Sequence, residues 1–200
     1  MAPPPKPTAP VTVRRRTLAL ENSKWRVFRD DITGADGHEV DGYLFVAPQV
    51  QRPDRIGGVT VLPVMPDGRI GLLWNYRHPL ELFAWEAPKG FLDPGETDVV
   101  AAALRELREE TGLACDRERI RRVGTLGQEP STLAVMGALF VADGCREDGA
   151  PHVDEPGLGQ LAFHTIEKAL ALADGGEIQD AATLIALYRY ALGRDRRSGR

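Results

Sequence analysis

The sequence predicts an α+β fold built on a mixed sheet, and three features point there. Short runs rich in β-branched, aromatic and leucine residues crowd the first half. Helical periodicity enters late instead of alternating with the strands, which argues against a doubly wound parallel sheet. With 200 residues, 42% of them hydrophobic, the chain is long enough to bury one full core.

The elements follow in order. MAPPPKPTAP holds five prolines and no apolar period, so residues 1–18 read as a disordered proline-rich tail. WRVFRDD and EVDGYLFVAP, separated by ADG, read as the strands of an N-terminal antiparallel β region over residues 19–55. GGVTVLPVM and RIGLLWNY open the main domain, residues 56–193, with MPDGR as the hairpin turn between them. FAWEAP is a further short extended piece. From about Asp98 to Thr111, Val100, Ala103, Leu104 and Leu107 repeat at helical spacing and face a core. RRVGTL, AVMGALFVAD and QLAF read as strands, and IEKALALA as a helix with Thr165 at its N-cap. A last helix runs from about Gln179 to Leu192, with Ala181, Leu184, Ile185, Tyr188 and Leu192 as its packing face and Gly193 as its stop. RDRRSGR, residues 194–200, is a basic tail.

Bulk properties exclude several classes of function. A net charge of -4 gives no general attraction for nucleic acid or an anionic membrane, so neither is expected as a partner. No run of about 18 apolar residues occurs to span a bilayer. The start lacks an apolar signal segment, and Cys115 and Cys145 are too few for a disulfide framework; the expected location is the cytoplasm.

The chemistry concentrates in residues 90–113, GFLDPGETDVVAAALRELREETGL. On a helix Glu106, Glu109 and Glu110 fall within an arc of roughly 100°, opposite the apolar stripe. Like charges at i and i+4, here Glu106 and Glu110, cost a helix about 0.2 to 0.5 kcal/mol, so this face gains from a cation. Arg105 lies four residues before Glu109 and can pair with it. Hard carboxylate oxygens suit Mg²⁺, with Mn²⁺ an alternative, and such ions take substrate phosphates as further ligands. Asp93-Pro94-Gly95 forms a turn that can carry Glu96 back toward the helix. The competing reading is a solvated acidic helix face.

This segment resembles the Nudix box, G-x5-E-x7-R-E-U-x-E-E-x-G-U with U a bulky aliphatic residue. Gly90, Glu96, Arg105, Glu106, Leu107, Glu109, Glu110, Gly112 and Leu113 match, but eight residues instead of seven separate Glu96 from Arg105. The insertion falls in TDVVAAAL, where the loop meets the helix, and puts the direction of Glu96 in question. GGVTVLPV, GRIGLLWNYRHPL, WEAPKGFLDPGE and the closing GEIQDAATLIALYRYAL are similar to the ADP-ribose pyrophosphatase branch of the family. Pro130, seventeen residues past Leu113, stands near that branch's signature proline.

The resemblance implies a Nudix α/β/α sandwich, a homodimer formed through the N-terminal strands, and hydrolysis of a nucleoside diphosphate-linked small molecule. ADP-ribose, split to AMP and ribose 5-phosphate, leads. It further implies metal ligation by Glu106, Glu109, Glu110, Glu96 and the backbone carbonyl of Lys89, whose side chain is expected to be exposed. Substrate contacts fall to Arg77, Glu86 and Pro130. Catalytic roles fall to Glu109, Glu110 and Arg105, with Glu155 as the proton acceptor and Asp154 in reserve. QEPSTLAVMG departs from the branch after the signature proline, so sugar preference does not carry over. Trp25 and Trp85 read as packing residues. Two other functions stay open: a Nudix hydrolase for another sugar nucleotide, dinucleotide or triphosphate, and a Nudix-fold sensor that binds nucleotide without cleaving it.

Overall fold

The computed structural model describes residues 10–152, 156–157 and 159–198. They fall into two compact units: residues up to Gln51 together with Glu129–Val135, and Arg52–Gln128 together with the chain from Met136 onward. The expected boundary at 55 therefore moves to 51, and a segment assigned to the main domain joins the first unit.

The first unit is an antiparallel sheet of β1 (Val11–Glu21), β2 (Trp25–Gly34) and β3 (Glu39–Pro48), in that order. The expected N-terminal β region is present. Its first strand, however, begins at Val11, inside the stretch read as a tail. VTVRRRTLALE opens on β-branched residues, but three arginines interrupt its apolar run. Across the ladder those arginines find acids: Arg15 Nε donates to Asp31 Oδ2 at 2.7 Å and Arg16 Nε to Asp30 Oδ1 at 2.7 Å. Such cross-strand pairs are what stabilise a sheet of this kind. The segment 129–135 belongs here because Val46 donates to Thr132 O and accepts from Ala134 N, at 2.9 and 2.8 Å.

The second unit holds β4 (Ile56–Val64), β5 (Ile70–Arg77), β6 (Leu82–Glu86), β7 (Lys89–Phe91), α1 (Val99–Thr111), β8 (Leu113–Ala114), β9 (Ile120–Leu126), β10 (Met136–Asp143), β11 (Arg146–Glu147), β12 (Leu161–His164), α2 (Ile166–Asp174) and α3 (Ala181–Ser198). Its main sheet runs β12-β5-β4-β10-β9, with β6 beside β5 and β7 beside β4. β4 and β10 are parallel and the other pairs antiparallel, so the sheet is mixed as expected. Met65 N to Arg69 O, 2.9 Å, closes the predicted turn between β4 and β5.

Strand alternation divides the core. Val59 and Val61 of β4 pack with Ala102, Ala103 and Leu107 of α1, whereas Leu62 and Val64 join Ala169 and Leu172 of α2 and Ala186 and Leu187 of α3. Helices thus cover both faces of the sheet, which is the expected sandwich. Thr165 caps α2 as predicted, accepting from Lys168 N at 3.2 Å.

α3 corrects two expectations. It passes through Gly193 to Ser198, so part of the basic stretch read as a tail is helical. Its buried side chains are Ala182, Thr183, Ala186, Leu187 and Tyr190, while Ala181, Tyr188 and Leu192 are exposed. The small residues at 182 and 186 let the helix approach the sheet closely, so side-chain size was a poor guide to its inner face. No helix among the described residues is long and apolar enough to cross a membrane.

Candidate active site

The site is built where α1 lies over β7. Asp98 starts the helix by accepting from Val100 N and Ala101 N, at 3.0 and 3.1 Å, and Gly112 ends it in the left-handed region at φ 69°. The buried face of α1 is Ala102, Ala103, Glu106, Leu107, Glu110 and Thr111. This corrects the expectation that the glutamates stand opposite the apolar stripe. The two alanines allow close approach to the sheet, and Glu106 and Glu110, one turn apart, are drawn in with them.

Each buried glutamate meets the backbone of β7. Glu110 Oε2 accepts from Lys89 N at 2.9 Å. The Glu106 carboxyl occupies the space over Gly90, where a β carbon would fall 2.2 Å from its Cδ. Burial raises the Glu106 carboxyl above its usual range, against the opposing pull of Arg105.

Arg105 is the hub of the loop. Its Nη1 donates to Glu106 Oε1 at 2.8 Å and to Glu109 Oε2 at 2.9 Å, the latter being the predicted i,i+4 pair. Its Nη2 donates to Phe91 O at 3.0 Å and to Glu96 Oε2 at 3.1 Å, while Asp93 Oδ2 lies 3.6 Å from Nε. Burial alone would lower the Arg105 pKa, but Glu96, Glu106 and Glu109 together raise it. Glu96 itself titrates below its usual range: burial opposes this, and Arg105 and the Asp93 N–H outweigh it. The Asp93-Pro94-Gly95 turn forms as predicted, closed by Glu96 N to Asp93 O at 3.0 Å with Gly95 at φ 84°. With the additional residue in TDVVAAAL present, Glu96 points at Arg105.

Behind this lies a second, buried polar network. Glu86 accepts from Arg77 Nε at 2.9 Å, is also bonded by Arg77 Nη2, and lies 3.1 Å from Lys89 Nζ. Lys89 Nζ also donates to Asp180 Oδ1 at 2.7 Å. Asp180 caps α3 through Thr183 N, 2.8 Å, and accepts from Thr183 Oγ1, 2.7 Å; that hydroxyl in turn receives Ala87 N at 3.0 Å. Burial opposes ionisation of Asp180, but Lys89 and Thr183 hold its carboxyl below the ordinary range. The expected exposure of the Lys89 side chain is therefore wrong: it is 20% exposed and bridges two acids. Asp180 and Thr183 had not been singled out. An aspartate three residues before a threonine at the start of a helical period is an N-cap signal that could have found them.

The remaining predicted residues divide. Glu109 is half exposed and tied to Arg105. Arg77 and Glu86 are brought together as a pair. Pro130 belongs to the first unit and is exposed there. Glu155 and Asp154 lie outside the described residues. Trp85 packs as expected, with Trp74 at 5.0 Å and His164 at 4.7 Å between ring centroids. In this conformation no three acidic, histidine or cysteine side chains among the described residues close around one point. The donor set nevertheless fits a hard divalent cation: two largely buried carboxylates beside a glycine backbone, with one raised toward its neutral form by desolvation.

One arginine thus clamps a buried acidic helix turn against a glycine-bearing strand. A family model described as NUDIX domain matches residues 54–187. The chain belongs to the Nudix family of hydrolases. It is 33% identical over 132 residues to a methanol dehydrogenase activator of Bacillus methanolicus, and 31% identical over 132 residues to an ADP-ribose pyrophosphatase of Bacillus subtilis (strain 168). Each match covers 66% of this chain and 70% of the relative. Among solved structures, one titled as an ADP compounds hydrolase superposes with a TM-score of 0.77 at 21% identity, covering 96% of this chain and 98% of the other, which bears on the fold.

Proposed function

We propose that the chain hydrolyses the diphosphate of ADP-ribose, giving AMP and ribose 5-phosphate, with Mg²⁺ as its cofactor and Mn²⁺ able to replace it. The observation that carries this reading is the burial of Glu106 and Glu110 against the Gly90 and Lys89 backbone. Burial holds the Glu106 carboxyl above its usual range, and a bound cation offsets that cost. The similarity to an ADP-ribose pyrophosphatase supports the substrate class.

In this reading Glu106 and Glu110 hold the metal, with Glu109, Glu96 and the Lys89 carbonyl as further donors. Bound there, a divalent ion supplies charge neutralisation for the diphosphate and a more acidic water. Arg105 positions Glu106, Glu109 and Glu96 through its fork of donors, which a flexible ammonium does not reproduce. Glu86, fixed by Arg77 and Lys89, presents an ordered acceptor for a substrate hydroxyl. Arg77 contributes positive charge to the same place. Glu155 accepts the proton of the attacking water.

The test is product analysis with purified chain, Mg²⁺, and a panel of ADP-ribose, other nucleotide sugars, dinucleotides and nucleoside triphosphates. AMP and ribose 5-phosphate from ADP-ribose, abolished by chelation and by Glu110→Gln, is the expected result. Preferential turnover of another panel member would move the substrate, and binding without any product would make the protein a sensor.

The same reading includes a homodimer in the cytoplasm. The first unit exposes Val11, Val13, Leu18, Leu20 and Leu44 along its strands, an apolar surface suited to a second copy. Both cysteines are free thiols, in keeping with a reducing compartment. Light scattering giving the mass of one chain would remove the dimer.

A further inference from the structure

The second unit contains a cleft of about 340 Å³ that uses none of the residues around Glu106. Its walls are the turn after β4, the approach to β9, the end of β10 and the later part of α3. Three arginines line it, Arg119, Arg121 and Arg194, together with Tyr190; Asp143 is the one carboxylate among the lining residues.

The three guanidiniums differ in what surrounds them. Gly144 sits at φ 71°, and a β carbon there would fall 2.6 Å from Arg119 Cζ, so the Arg119 guanidinium rests directly on bare backbone. Among the described residues no carboxylate lies within ion-pair distance of it. Arg121 follows two residues later, in β9, and lines the same cleft. Its Nε is buried with no hydrogen-bond partner among the described residues, and its nearest acid, Asp143 Oδ2, stands 3.7 Å away. Arg194 reaches in from α3 with Cζ 5.9 Å from the ring of Tyr190, itself one turn back on the helix.

Guanidinium groups stay charged at any physiological pH, so Arg119 and Arg121 beside Asp143, the single carboxylate lining the cleft, leave a positive field in this concave space. The chain as a whole carries -4, so this field is local. Planar forks of N–H donors match the tetrahedral oxygens of a phosphoryl group bidentately, and the volume lies at the small end of ligand clefts.

We propose that this cleft is a binding site for a small phosphate-bearing anion, separate from the acidic site and independent of its substrate. Arg119 and Arg121 grip the phosphoryl oxygens, and Arg194, stacked on Tyr190, closes over them.

The probe is inorganic phosphate, and in a second series inorganic pyrophosphate, titrated calorimetrically into the full chain in a chelating buffer, so that no divalent ion bridges either anion to the glutamates. Saturable binding is expected, weakened about tenfold or more by Arg119→Gln and by Arg194→Gln. Arg122→Gln, at the exposed residue beside Arg121, should leave it unchanged. Arg194 lies near the end of α3 and is exposed, so its variant keeps the test alive if Arg119→Gln folds poorly. No saturable binding to the unmodified chain overturns the proposal. So does binding that survives both substitutions, or that Arg122→Gln weakens equally.

Discussion

The Glu106 carboxyl lies on the bare face of Gly90, so close that a methyl group on that Cα would overlap its Cδ at 2.2 Å. Glycine at position 90 therefore leaves the room that the Glu106 carboxyl fills. Gly90→Ala must push a buried carboxyl out of place, and overpacking of this kind costs about 1 to 3 kcal/mol. A displacement near 1 Å at a reacting centre costs on the order of 100-fold in rate. Urea titration and kcat/KM should fall together. A variant with unchanged kcat/KM would mean that Glu106 need not occupy this position.

Arg105 joins Glu96, in the loop, to Glu106 and Glu109, on the helix. Arg105→Lys keeps the charge but cannot meet four acceptors at once. It should destabilise the chain by about 1 to 3 kcal/mol, the range for lost hydrogen bonds to charged groups. A double-mutant cycle with Glu96→Gln should give a coupling energy of about 0.5 to 3 kcal/mol. Coupling indistinguishable from zero would show that the loop glutamate holds its position without Arg105, contrary to the geometry described.

What the sequence revealed, and what it hid, follows the range of the interactions. The bounds of α1, the turn at Asp93-Pro94-Gly95 and the Arg105–Glu109 pair were legible because each depends on residues within a few positions. The Lys89 side chain was misread because its partner, Asp180, lies 91 residues later. The direction of Glu106 and Glu110 was misread because the inner face of α1 is set by how near Ala102 and Ala103 let it come to the sheet. β1 was missed because Arg14, Arg15 and Arg16 look soluble until Asp41 on β3 and Asp31 and Asp30 on β2 are seen as their partners.

Gly193 looked like a helix stop and is a helix interior residue. A β carbon added there meets nothing within 4 Å, and its φ is not in the left-handed region. Gly193→Ala should therefore stabilise the chain by about 0.4 to 1 kcal/mol, mainly by restricting the unfolded state. Destabilisation in chemical denaturation would mean that α3 ends where the glycine first suggested.

His164 packs edge-on against Trp85, and its Nε2 is buried without a hydrogen-bond partner among the described residues. Burial, reinforced by Lys168 and opposed weakly by Glu177, lowers its pKa below the ordinary 6.5. The folded chain thus holds the ring neutral at pH values where the unfolded chain already protonates it. With the folded value depressed, stability from this residue is complete above the unfolded pKa and declines as pH falls from there toward the folded one. His164→Phe keeps a ring against Trp85 and removes the titration. Between about pH 7.5 and about pH 5.5 the urea midpoint of the unmodified chain should fall more than that of the variant. Parallel pH dependence in the two proteins would assign the acid sensitivity to other groups and leave His164 a packing residue alone.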